Sequence, residues 1–91
     1  LNGTELRFLF TPGHTPGEYS IYIPDENLCI TGDVLFRGSI GRTDLWGGDF
    51  ETLMHSIKTK LLVLPDSTTI YPGHGESSTI LQEKTHNSFL Q

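Results

Sequence analysis

The sequence predicts a mixed α/β (α+β) chain of short strands and two helices, and three observations carry that reading. Short β-rich runs stop abruptly at Pro-Gly or Gly-rich turns, one helical stripe of apolar residues follows a capping aspartate, and a further strand and helix close the chain. The order that results is strand, loop, hairpin, loop, helix, strand, loop, helix.

Leu6, Phe8 and Phe10 alternate on one face of a strand over residues 6–10. That strand ends at Thr11-Pro12-Gly13-His14-Thr15-Pro16-Gly17, where two Pro-Gly pairs enforce a loop. Residues 19–23 and 28–31 flank Pro24-Asp25-Glu26-Asn27, a turn composition, and so form a hairpin whose second strand delivers Gly32-Asp33 at its end. Residues 36–48 are rich in glycine and polar side chains without any period, which makes them a long loop of the kind that carries function. Asp49 then caps a helix whose Phe50, Leu53, Met54, Ile57 and Leu61 form one stripe, with Lys58 and Lys60 favourably placed at its C-terminal end. Pro65-Asp66-Ser67 breaks the chain. Residues 68–71 read as a β-branched strand, Pro72-Gly73-His74-Gly75 as another strand-end loop, and residues 79–87 as a second helix.

Composition narrows the function classes. Eleven acidic residues against six basic ones give a net charge of −5, with no Lys/Arg cluster, so nucleic acid and anionic membrane are excluded as expected partners. The longest apolar run, Leu61-Leu62-Val63-Leu64, is far short of the roughly 20 residues that span a bilayer. The single cysteine, Cys29, lies in an apolar strand and has no partner for an internal disulfide; it reads as a small buried hydrophobe, and a reducing, cytoplasmic compartment is expected. The chain opens on Leu1 and reads almost directly into a strand, with Met54 its only methionine, which suggests part of a larger gene product.

His14, Asp33 and His74 share one context: each follows a strand and sits beside Gly or Pro. If those strands belong to one sheet, the three side chains converge on one rim. Imidazole nitrogen and carboxylate oxygen suit zinc, iron(II) or manganese, and neighbouring glycines let backbone approach an ion closely. The bland alternative is that all three are ordinary turn residues, and three matching contexts weigh against it. His55 and His86 fall in expected helices outside any such context and read as solvated. Arg42 and Asp44 read first as an ion pair supporting the long loop, Trp46 either as a pocket wall or as cover for apolar surface, and Tyr19 and Tyr22 as strand residues.

Thr11-Pro12-Gly13-His14-Thr15-Pro16-Gly17, Thr31-Gly32-Asp33-Val34-Leu35-Phe36 and Tyr71-Pro72-Gly73-His74-Gly75 together resemble the last three metal-binding motifs of the metallo-β-lactamase superfamily, in order and in spacing. Ser39-Ile40-Gly41-Arg42-Thr43-Asp44-Leu45 with Gly47-Gly48-Asp49 is similar to the loop of its short bacterial glyoxalase II-like branch. Ser78-Thr79-Ile80, Glu83-Lys84 and Asn87 match the tail of that branch, while Ser88 and Trp46 stand where it usually has proline.

The resemblance implies the C-terminal half of an αββα sandwich, one mixed sheet with flanking helices, spanning residues 1–91. It implies His14 on a first metal, His74 on a second and Asp33 bridging both, in a hydrolase of thioesters such as S-lactoylglutathione that uses a metal-activated water. Two zinc ions are implied in the complete enzyme, with iron or manganese as alternatives and a small molecule as substrate. The family's His-x-His-x-Asp-His motif, normally on the preceding half, does not occur in these residues. The isolated chain is therefore expected to bind metal weakly or not at all and to be inactive. It is also expected to pack an apolar sheet face, with Leu6, Phe8 and Phe10 or alternate residues of 19–23, against that absent half or another copy. Two further readings stand beside this one. A persulfide dioxygenase with a single iron shares the Gly-Arg-Thr-Asp loop, but Ile40 replaces that branch's usual cysteine; a non-catalytic module would have lost the first half altogether.

Overall fold

The computed structural model describes residues 4–91, so the first three positions of the expected 1–91 domain lie outside the described residues. In chain order the elements are β1 (Arg7–Phe10), β2 (Tyr19–Ile23), β3 (Leu28–Gly32), β4 (Leu35–Phe36), β5 (Ser39–Ile40), α1 (Phe50–Ser56), β6 (Thr69–Pro72), β7 (Ser78–Thr79) and α2 (Ile80–His86). Five strands form one mixed sheet in the order β1-β2-β3-β6-β7, and β4 and β5 form a separate hairpin. The α+β class expected from the sequence is what the structure shows.

The pairing of β3 with β6 is parallel, whereas β1–β2, β2–β3 and β6–β7 are antiparallel. Two antiparallel steps restore direction, so β1, β3 and β6 all run the same way. Their C-terminal ends, and the loops that follow, emerge at one rim. At the other end Asn27 takes a left-handed conformation (φ 53°) to close the β2–β3 turn, which an asparagine tolerates better than most residues.

Three details differ from the sequence expectation. The stretch expected to be unbroken loop contains the β4–β5 hairpin, with Leu35 opposite Ile40 and Phe36 opposite Ser39; Gly38 (φ 75°) provides the left-handed residue that its two-residue turn needs. Strands of two residues have no period to read. Ser78 and Thr79 form a short edge strand, so the second helix starts one residue later, capped by the Thr79 hydroxyl accepting from Gln82 N–H at 3.1 Å. The helix capped by Asp49 is regular only to Ser56 and then widens into a π turn over Ile57–Leu61, closed by Leu62 N–H to the Ile57 carbonyl at 2.9 Å.

One face of the sheet contributes Tyr22, Cys29 and Ile70 to a core completed by Leu53, Ile57 and Leu61 of the helical stripe and by Val34, Leu35, Ile80 and Leu90. The opposite face is different. Register places Phe8, Ile21, Ile30 and Tyr71 in one row across four strands, with Phe10 beside Tyr19 in the next. Phe8 is 63% exposed and Tyr19 56%, and Phe10, Ile30 and Tyr71 are also exposed. One face thus carries helices while the other presents an apolar surface.

Cys29 is fully buried on the helix-covered face, and burial pushes its thiol up to about 12 because the thiolate would be stripped of water. At about pH 8 the native thiol is therefore protonated and enclosed. Iodoacetamide should leave Cys29 unlabelled in the folded chain and label it fully in denaturant. Rapid labelling under native conditions would show that this face of the sheet is not packed as described.

Candidate metal centre

The three like-directed strands bring together the three residues expected at the site. His14 follows β1, Asp33 immediately follows β3, and His74 follows β6. His14 Nε2 lies 3.9 Å from Asp33 Oδ2, and His74 Nε2 lies 3.9 Å from Asp33 Oδ1. Asp33 thus stands between the two imidazoles with a different carboxylate oxygen toward each. A separation of 3.9 Å is too long for a hydrogen bond. It is within the span of two ligand bonds of about 2.0–2.1 Å each, so each pair leaves room for a cation. Among the described residues no three His, Cys, Asp or Glu side chains converge on a single ion position. The arrangement is a carboxylate with one imidazole on either side, and its nitrogen and oxygen donors are of the kind that suits divalent transition metals.

Each of the three side chains is held differently. His14 is mostly covered, and its Nδ1 lies 2.9 Å from the Arg42 carbonyl, which only accepts; Nδ1 therefore donates there, and Nε2 is the nitrogen that faces Asp33. The loop bearing His14 is tied to α1: Asp49 N–H donates to the Gly13 carbonyl at 2.8 Å, and the Ser56 hydroxyl donates to the Pro12 carbonyl at 2.7 Å. Gly13 has φ 135°, and a Cβ there would stand 2.3 Å from Leu53 Cα, so only glycine permits this approach.

Asp33 is aimed by its backbone. Its N–H donates to Glu18 Oε2 at 3.2 Å, and Gly73 N–H donates to the Gly32 carbonyl at 2.8 Å, which locks the Asp33 and His74 loops together. His74 is 78% exposed in its side chain, and its ring stacks on Phe36 with centroids 4.7 Å apart and planes 29° from parallel. A ring contact, rather than a hydrogen bond, orients this imidazole.

His14, Asp33 and His74 line a cleft of about 500 Å³ whose walls include Phe36, Arg37, Ser39, Ile40, Arg42 and Glu76. Arg42 donates to Asp44 through Nε at 2.8 Å and Nη2 at 3.0 Å. This hydrogen-bonded pairing raises the guanidinium pKa and lowers that of the Asp44 carboxyl. The expected ion pair is present, but it is exposed, and it is the Arg42 carbonyl that touches His14. Trp46 is 96% exposed and does not line this cleft. His55 and His86 lie exposed on α1 and α2, away from the cleft. Sequence reasoning missed Glu18, Phe36, Arg37 and Gly41. Glu18 follows the His14 loop by one residue, yet only the folded register brings it to Asp33.

The family is shown by comparison with known proteins. The model of the metallo-beta-lactamase superfamily matches residues 1–74, and the chain belongs to that superfamily. It is 55% identical over 85 residues to the probable metallo-hydrolase YqgX of Bacillus subtilis, covering 93% of this chain and 40% of that protein. Over 90 residues it is 51% identical to the hydroxyacylglutathione hydrolase GloC of Haemophilus influenzae, covering 99% of this chain and 42% of the relative. The chain therefore spans about two fifths of the length of these relatives. Among solved structures it is similar to the BLEG-1 B3 metallo-beta-lactamase (TM-score 0.94, 48% identity, 99% of this chain and 43% of that one). It is also similar to TTHA1623 in a di-iron-bound form (TM-score 0.90, 45% identity, 93% and 42%). A third likeness is to ETHE1 from Myxococcus xanthus (TM-score 0.88, 35% identity, 96% and 40%).

Gly41 sits where the returning loop passes between two ligands: a Cβ there would stand 2.0 Å from the Asp33 carbonyl oxygen and 3.3 Å from His14 Cβ. Gly17, by contrast, has open space around it and no left-handed φ. Gly41→Ala should destabilise the fold by about 3 kcal/mol, the upper end for overpacking, while Gly17→Ala is near neutral. Parallel thermal melts check this, and equal midpoints for the two variants would contradict the close approach.

Proposed function

We propose that this chain supplies the later half of the metal centre of a glyoxalase II-like hydrolase that cleaves thioesters of the S-lactoylglutathione type. The observation that carries the reading is Asp33 standing between His14 and His74 with one carboxylate oxygen 3.9 Å from each. A carboxylate so placed suits a bridge between two cations, with His14 completing one side and His74 the other. The remaining ligands would come from a preceding half bearing the His-x-His-x-Asp-His motif, for which the two-fifths coverage of the relatives leaves room. The named activity of GloC supports the thioester class.

When bound, a pair of divalent cations, zinc in this reading, supplies an acidified water and charge stabilisation for attack on a carbonyl. The chain's own residues do the rest. Arg42 fixes the His14 tautomer through its carbonyl, Glu18 and Gly73 aim Asp33, and the walls at Phe36 and Ile40 shape the space where a thioester would lie.

The bare face belongs to the same proposal. Phe8, Phe10, Tyr19, Ile21, Ile30 and Tyr71 form the surface that the opposite sheet of a sandwich, or a second copy, would cover. Leaving ~600 Å² of such surface wet forgoes roughly 15 kcal/mol at about 25 cal/mol per Å². That is as large as the whole stability of a small domain, about 5–15 kcal/mol.

A second reading draws on the likeness to ETHE1 and on the Gly41-Arg42-Thr43-Asp44 loop: a persulfide dioxygenase with a single iron. Metal analysis separates the two, because a hydrolase retains two cations per chain and the dioxygenase one iron.

Two predictions follow from the site. Joined to an N-terminal half carrying the His-rich motif, the chain should hydrolyse S-lactoylglutathione. Asp33→Asn should reduce that activity by more than the roughly 10–100-fold that loss of an outer partner costs. Turnover of a β-lactam such as nitrocefin without thioester cleavage, or an active Asp33→Asn, would overturn the proposal. Alone, the chain should show no hydrolysis and should sediment as a dimer or larger species. A cooperatively melting monomer at micromolar concentration would remove the need for a covering partner.

A further inference from the structure

Glu83 is a carboxylate with 1% exposure on α2, and among the described residues no cation lies against it. A carboxylate so buried is costly unless donors surround it. Three do: the Ser78 hydroxyl donates to Oε2 at 2.5 Å, and Gly38 N–H and the Asn87 side-chain amide donate to Oε1 at 2.9 and 2.8 Å. Asn87, itself fully buried, donates a second time to the Ser39 carbonyl at 3.0 Å. The consecutive residues Gly38 and Ser39 of the β4–β5 hairpin are therefore each gripped at one backbone group, Gly38 by Glu83 and Ser39 by Asn87, the residue that caps the C-terminus of the same helix.

That hairpin is what orients both imidazoles. On its entering side Phe36 stacks on His74; beyond its leaving side the Arg42 carbonyl accepts from His14 Nδ1. Gly41 N–H also donates to the Val34 carbonyl at 3.0 Å, which ties the two ends of this segment together.

We propose that Glu83 is a positioning residue of the metal centre. It fixes the β4–β5 hairpin through Gly38 and Asn87, and through that hairpin it sets the directions of both His14 and His74. Helix α2 then contributes to the site without placing any side chain in the cleft. The inference rests on the metal-centre reading for its zinc readout alone.

The test compares Glu83→Ala with Glu83→Gln in the full chain joined to its complementing half. Glutamine retains an oxygen for Gly38 and Asn87 and offers its amide to the Ser78 hydroxyl, so zinc affinity should stay within about twofold of the parent. Alanine leaves the Gly38 N–H and the Ser78 hydroxyl without their acceptor and the Asn87 amide with the Ser39 carbonyl alone, and at a temperature where circular dichroism shows the protein folded, zinc should bind about tenfold or more weakly. The nuclear Overhauser contact between the Phe36 and His74 rings should disappear in the alanine variant alone. A merely structural role would lower the melting temperature of Glu83→Ala and leave affinity and ring contact intact, and that result would overturn the proposal. Should Glu83→Ala not fold, hydrogen exchange in the unaltered protein decides: Gly38 N–H is expected to be as protected as sheet amides, and exchange at a free-loop rate would overturn it. Absence of zinc binding by the unaltered protein would sink the metal reading, whereas the ring contact and the Gly38 amide test the Glu83 clamp independently.

Discussion

Parallel pairing of β3 with β6 is the constraint on which the rest of the structure depends. It puts the ends of both strands at one rim, and the bond from Gly73 N–H to the Gly32 carbonyl carries the pairing one step beyond the sheet, into the loops that bear Asp33 and His74. The outer hairpin adds the third member, because two antiparallel steps bring β1 back to the same direction and His14 to the same rim. A parallel neighbour needs a long crossover connection. Here the crossover contains both the β4–β5 hairpin and α1, so the same segment that makes the sheet possible also supplies Phe36, Ile40 and the histidine-orienting carbonyl of Arg42 to the cleft.

Much of this was legible in the residues. His14, Asp33 and His74 stand out because each follows a β-rich run and neighbours glycine, and that pattern holds whether or not a family is invoked. The helix stripe was legible for the same reason: Leu53, Ile57 and Leu61 repeat at a helical interval, and all three are fully buried. What escaped notice depends on contacts with no local signature. Phe36 reads as the first residue of a long loop until folding lays it against His74. Glu18 reads as a loop carboxylate until it meets Asp33 N–H across 15 positions, and Glu83 reaches Gly38 across 45. The β4–β5 hairpin is two residues a side, too short for alternation to register, and its glycine turn looks like any loop glycine.

The division of the sheet into a packed and a bare face connects fold to function. Side chains on one face meet helices, while those on the other form a continuous apolar surface from Phe8 to Tyr71. A hydrophobic face of this breadth is unusual on a free-standing domain. The rim that carries His14, Asp33 and His74 borders both faces, so in the proposed sandwich the element covering the apolar face would also approach the proposed metal centre. Completion of the core and completion of the ligand set then become one event.

The central claim is that Asp33 bridges two cation positions, one beside His14 and one beside His74. Anomalous diffraction at the zinc edge, from crystals of this chain joined to its complementing half, tests it most directly. The account predicts two peaks per chain, each within ligand-bond distance of a different Asp33 oxygen, one next to His14 Nε2 and the other next to His74 Nε2. A single peak, or two peaks of which either lacks an Asp33 oxygen, would contradict it.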